Sequence, residues 1–204
     1  MVMARLKLAI MGGTFNPIHV GHLVCAEEAV GQFGLDKVLF MPTGKSPHKE
    51  TEYDVGPEDR FKMVVLATAG NPRFEVSRHE LDSEQTSYTV DTLRNFRAAL
   101  PDTELFFITG TAAIIEILEW KEPGEIFQLA TLIAATRFGY PVEKIPAKER
   151  KFLEENGARF MEIPCIGVSS SLVRERVAKG QSIRYLVPEG VEKFIEKERL
   201  YLQK

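Results

Sequence analysis

A chain of 204 residues, 44% of them hydrophobic, can bury a substantial core without disulfides or a structural metal, and one domain spanning 1–204 is the default reading. Its 26 Lys and Arg against 29 Asp and Glu leave a formal net charge of -3, so there is no global electrostatic reason to bind a nucleic-acid backbone or an anionic membrane, and any phosphate affinity must be local. Cys25 and Cys165 stand far apart, neither in a CxxC pair, which argues against zinc or redox chemistry and fits a reduced, cytoplasmic setting.

The first ten residues carry Arg5 and Lys7 within a short apolar run that reaches neither signal-peptide nor membrane-spanning length. LKLAIM (6–11) then reads as a strand ending in a glycine pair, and Val20, Leu23, Val24, Val30 and Phe33 recur at helical spacing over 20–33. The alternation continues with a strand over 38–42 and a helix over 58–69. A short strand over 74–77 follows, then a helix over 88–100 stopped by Pro101. ELFFIT (104–109) is the most strand-like run; it breaks at Gly110 before the apolar segment 112–118. TLIAAT (131–136) gives another strand, followed by a polar helix over 148–156 with Gly157 as its stop and a strand over 158–163. Ser169 to Ser171 can cap a helix, and Pro188 opens the last one.

Strands alternating with helices predict an α/β fold, a doubly wound parallel sheet. In such sheets ligands sit beyond the carboxyl ends of the strands, where Gly12-Gly13, Gly110 and Ser169 to Ser171 fall. At the first of these breaks, small residues admit a ligand close to the backbone and lead into a helix whose free amides and dipole favour an anion. His19 and His22, three apart at that helix start, can direct both rings to one phosphate. Taken singly, a glycine pair is more often a plain turn, and two histidines without a Cys or carboxylate partner make a poor zinc set. Arg174 offers a fork of donors suited to phosphate oxygens, although a serine cap followed by a solvated arginine is the commoner arrangement. GVSSS lacks the closing glycine of a serine-hydrolase elbow, and GKS at 44–46 lacks the upstream glycine of a P-loop. Trp120 could stack on a flat ring, but core packing is its ordinary use.

Together these segments resemble the bacterial nicotinate mononucleotide adenylyltransferases of the HxGH nucleotidyltransferase superfamily, over roughly residues 6 to 196. GGTFNPIHVGH (12–22) is similar to the family's GGTF(D/N)PIHxGH, and PTGKSPHK (42–49) to its P-x-G-x-x-P-H-K loop. SYTVDTL (87–93) and WKEP (120–123) resemble two further family segments. VSSSLVRERVAKGQSIRYLVP (168–188) resembles its ISSTxIRxRVxxGxSIRYLVP. Several spaced matches in order carry far more weight than any one of them.

The resemblance implies a Rossmann-like fold in which residues 168–204 complete the site. It implies transfer of the adenylyl group of ATP to nicotinate mononucleotide, giving nicotinate adenine dinucleotide and pyrophosphate in NAD biosynthesis, with Mg2+ arriving on the ATP phosphates. His19, His22 and Arg174 would be catalytic, and they would bind ATP together with Gly12, Gly13, Thr14, Phe15, Gly110, Ser169 and Ser170. Asn16, His48, Lys49, Thr89, Trp120, Lys121 and Arg137 would take the nicotinate nucleotide; no protein side chain would be a metal ligand. Neither nucleic acid nor a membrane is implied as a partner, and homo-oligomer formation stays open. Three positions depart from the pattern: Ala112 stands where an aspartate is expected to meet the ATP ribose, Phe138 replaces a proline, and Ser171 replaces the commoner threonine. Losing that charge-assisted hydrogen bond would weaken ribose binding by about 1.5–3 kcal/mol. Same-fold transfer to nicotinamide mononucleotide or phosphopantetheine, and an activity-impaired nucleotide-binding relative, are the alternatives the sequence leaves open.

Overall fold

The computed structural model describes residues 5–44, 55–137, 142–164 and 166–202, with the backbone alone described at Thr111, Ala112 and Arg137. Six strands, β1 (Lys7–Gly13), β2 (Lys37–Pro42), β3 (Phe74–Val76), β4 (Glu104–Gly110), β5 (Thr131–Arg137) and β6 (Arg159–Ile163), form one sheet in the order β3-β2-β1-β4-β5-β6. All five pairings are parallel. The chain builds outward from β1 through β2 to β3, then returns to place β4 on the other side of β1. That reversal opens a crevice above the carboxyl ends of β1 and β4.

The strands are near-continuous apolar runs because both sheet faces are covered. Alternate residues divide between two cores. Ala9, Met11, Phe40, Phe106 and Ile108 pack with α1 (Val20–Phe33), α2 (Pro57–Thr68), α7 (Ser170–Ala178) and α8 (Glu189–Lys197). Leu8, Ile10, Leu39, Met41, Leu105 and Phe107 pack on the other side with α3 (Thr89–Ala99), α4 (Thr111–Ile114), α5 (Pro123–Leu129) and α6 (Ala147–Glu155).

Element ends follow local chemistry. Pro57 sits in the first turn of α2, Ser169 caps α7 by accepting the Leu172 N–H at 3.1 Å, and Gly157 takes φ 77° just past α6. Two expectations shift. Gly12 and Gly13 close β1 itself, paired with Met41 and Pro42 of β2, because the parallel ladder continues past the apolar run. The segment 112–118 divides into the short α4 and a 3₁₀ turn at Ile117–Glu119, which buries Ile114 and Ile117 while leaving Ile115 exposed.

Candidate active site

Beyond β1 the chain turns through Thr14 to Ile18 before α1 begins. Phe15 adopts φ 48°, a left-handed conformation in a bulky residue, and its buried ring holds it there against Phe40 and edge-on to His22, with centroids 5.9 and 5.1 Å apart. The backbone of this loop is then fixed from elements far away in sequence. Arg60 of α2 donates to the Thr14 carbonyl at 2.8 Å, Arg174 of α7 to the Asn16 carbonyl at 2.7 Å, and the Ser170 hydroxyl to the Pro17 carbonyl at 2.8 Å. The Tyr201 hydroxyl, near the carboxyl end of the chain, donates to Asn16 Oδ1 at 2.7 Å. Thus a loop with little regular structure is held by side chains of α2, α7 and Tyr201.

His19 is the residue preceding α1, and its ring lies parallel to that of His22, centroids 3.7 Å apart and 19° between planes. Gly21 makes this possible, since a Cβ there would lie 3.1 Å from the His19 ring and 3.2 Å from Val168. Burial drives the His19 pKa down to about 4 and holds His22 well below the ordinary value, with the neighbouring His19 ring adding to the depression at His22. Both imidazoles are therefore neutral near pH 7. His22 Nδ1 accepts the backbone N–H of His19 at 3.2 Å, which assigns the proton to Nε2 and makes that nitrogen a donor.

The amino ends of α1 and α7 meet here, since Ser170 at the start of α7 reaches the loop that leads into α1. Neither first turn carries an acidic side chain. Two buried nitrogens at this junction, His19 Nδ1 and Arg174 Nε, have no hydrogen-bond partner among the described residues. N–H donors at two helix amino ends, with neutral imidazoles and a guanidinium, are what the acceptor oxygens of a polyphosphate would satisfy.

The expected ATP-side residues thus assemble at one place. Gly12, Gly13, Thr14, Phe15, His19 and His22 form the β1–α1 passage, and Ser169, Ser170 and Arg174 close it from α7. Ser170 and Arg174 also act inward, on the loop's own carbonyls. Gly110 ends β4 beside this crevice, paired with Ala135.

Of the residues expected on the acceptor side, Thr89 is the first residue of α3, and Lys121 reaches that helix's first turn through a 2.7 Å ion pair with Asp91, its Nζ 5.0 Å from the centre of the Tyr88 ring. Trp120 stands nearly perpendicular to Phe107, centroids 6.1 Å apart, and is only partly buried. Asn16 is buried in the loop. Arg137 ends β5 with its backbone paired to Ile163, and its side chain lies outside the described atoms; His48 and Lys49 lie outside the described residues altogether. Arg60 and Tyr201 escape a reading of the sequence. For Arg60 a signal exists: it falls on the same helical stripe as Met63 and Val64, where a charge marks a side chain with a fixed task.

The cytidylyltransferase-like family model matches residues 10–176, which include the whole β1–α1 passage and Arg174. Proteins named as probable nicotinate-nucleotide adenylyltransferases match almost end to end. The protein from Streptomyces coelicolor is 47% identical over 191 residues, 94% of this chain and 98% of its own; that from Clavibacter michiganensis is 46% identical over 197 residues, 97% and 94% respectively. The chain belongs to the nicotinate-nucleotide adenylyltransferase family. The fold agrees. The Plasmodium falciparum nicotinic acid mononucleotide adenylyltransferase complexed with NaAD superposes with a TM-score of 0.77 at 17% identity, covering 97% of this chain and 98% of that one. The same enzyme complexed with APC gives 0.72 at 18% identity over the same shares. The crevice beyond β1 and β4 opens beside the paired histidines.

Proposed function

We propose that this protein transfers the adenylyl group of ATP to nicotinate mononucleotide, yielding nicotinate adenine dinucleotide and pyrophosphate. The observation that carries this reading is the pair of neutral, stacked histidines at the amino end of α1, in a chain alike over nearly its full length to proteins of that name. The acceptor's own phosphate oxygen attacks the α-phosphorus of ATP while the bond to the pyrophosphate oxygen breaks, so the protein supplies alignment and charge stabilisation rather than a nucleophile. His22 Nε2–H, His19 and Arg174 would donate to the polyphosphate as charge moves onto the departing pyrophosphate. Such donors gain weight in a site that needs no reorganisation at the moment of reaction.

Among the described residues no three His, Cys, Asp or Glu side chains gather as a metal site, and the donors here are N–H groups rather than carboxylates. That donor set fits Mg2+ carried on ATP oxygens and water, where it would neutralise phosphate charge. On the acceptor side, Trp120 would stack on the pyridine ring, while the amides near Thr89 and Lys121 would receive its carboxylate. Asn16, His48, Lys49 and Arg137 would complete that side. No helix among the described residues is long and apolar enough to cross a membrane; two cysteines outside any CxxC pair support our reading of a reduced, cytoplasmic setting.

Pyrophosphate release from ATP and Mg2+ with nicotinate mononucleotide, nicotinamide mononucleotide and phosphopantetheine in parallel tests the reading. Turnover should be fastest with nicotinate mononucleotide; none with that acceptor at saturating ATP would refute it.

A further inference from the structure

Arg60 is 4% exposed, and all three of its nitrogens donate to backbone carbonyls of different segments. Nε reaches Val55 at 3.3 Å, just before α2; Nη1 reaches Thr14 at 2.8 Å, in the histidine loop; Nη2 reaches Thr43 at 2.9 Å, just past β2. The two strand ends are also tied directly, since the Thr43 N–H donates to the Gly13 carbonyl at 2.9 Å. Beyond this point they diverge, and in the adenylyl-transfer reading they would serve different substrates. The β1 end runs into the polyphosphate loop. The β2 end packs against the wall leading to α3: Gly44 approaches the Glu80 carbonyl so closely that a Cβ would stand 2.2 Å from it, and the Glu80 carboxylate accepts the Thr92 hydroxyl of α3 at 2.8 Å. The guanidinium is a rigid planar fork, so its two arms fix the separation of the two carbonyls they hold.

We propose that Arg60 is a positioning residue for the transfer, setting the distance between the ATP-side loop and the acceptor-side wall so that the attacking phosphate meets the α-phosphorus in line. This role rests on the adenylyl-transfer reading. It predicts an effect on the rate of the bound complex rather than on the hold on either substrate, because each half-site keeps its own contacts when the brace is lost. A residue that only stabilised the fold would weaken both half-sites together.

The test compares wild type, Arg60→Lys and Arg60→Ala in the pyrophosphate assay, with calorimetric binding of a non-hydrolysable ATP analogue and of nicotinate mononucleotide measured separately. Misplacement of the reacting groups by the order of an ångström should lower kcat about 100-fold in Arg60→Ala, while each dissociation constant stays within about threefold of wild type. Arg60→Lys, which keeps the charge but not the fork, should remain closer to Arg60→Ala than to wild type. Methylguanidinium should restore at least about tenfold of the lost kcat in Arg60→Ala, and methylammonium at equal concentration should not. An unchanged kcat in both variants would overturn the proposal, as would a loss of kcat matched by weaker binding of both substrates without guanidinium rescue. If Arg60→Ala does not fold, Arg60→Lys decides on the same kcat-against-binding split. Absence of turnover in wild type would instead overturn the adenylyl-transfer reading, and this role with it.

Discussion

Acidification should unfold this protein earlier than its carboxylates alone would dictate, and His19 is the reason. In the folded state burial holds its pKa at about 4, whereas in the unfolded chain it returns to 6.5. Between those values the unfolded chain binds the proton and the folded chain does not, so stability rises with pH across the window and is lost as pH falls through it. A gap of roughly 2.5 pK units at about 1.36 kcal/mol each amounts to about 3 kcal/mol. For a chain of this size that corresponds to a fall of roughly 6–12 °C in Tm. The assay is thermal or urea unfolding of wild type and His19→Gln at several pH values through the window, reading the difference between the two proteins. His22 is also held low, mainly by its own burial, so most of its contribution is common to both and cancels. Identical pH slopes for wild type and His19→Gln would refute the claim that the His19 ring is held neutral by burial.

Four further outcomes are expected. His22→Ala should lower kcat by about 10²–10³ while leaving the dissociation constant of nicotinate mononucleotide nearly unchanged, as single-turnover and calorimetric measurements would report. Gly44→Ala should destabilise the protein by about 1–3 kcal/mol in urea unfolding, because the added Cβ meets the Glu80 carbonyl at 2.2 Å and one backbone must move. Tyr201→Phe removes the hydroxyl that donates to the buried Asn16 Oδ1, and should lower stability by about 1–3 kcal/mol, as urea unfolding would report. Ala112→Asp, in α4 directly after β4, should lower the Michaelis constant for ATP by supplying a carboxylate to the ribose hydroxyls, and steady-state kinetics with varied ATP would register it.

Much of the scaffold was readable along the chain because its signals are local. Continuous apolar runs such as LFFI in β4 mark strands covered on both faces, and helical spacing in α1 and α8 marks the faces that cover them. Ser169, Gly157 and Pro188 each act within a few residues of where they stand. The placement of glycine and serine breaks at strand ends pointed to a local phosphate site at His19 and His22, and Arg174 joined it through the family resemblance. The division of 112–118 into two short turns was not legible, since an apolar run says that a segment is buried but not which of its backbone amides find partners.

By itself, then, the sequence determined the alternation of strands and helices, the two apolar faces of the sheet and the list of phosphate-binding candidates. Only tertiary structure decided what those candidates do to one another. The brace on the histidine loop joins residues separated by 46, 153, 158 and 185 positions, and no local propensity carries information over such distances. The same holds for charge state: a histidine's preference for a proton depends on the water removed around it, and here that removal is the work of side chains brought together by folding. Two histidines three residues apart become neutral, stacked donors only when the sheet, the loop and the amino end of α1 have closed around them.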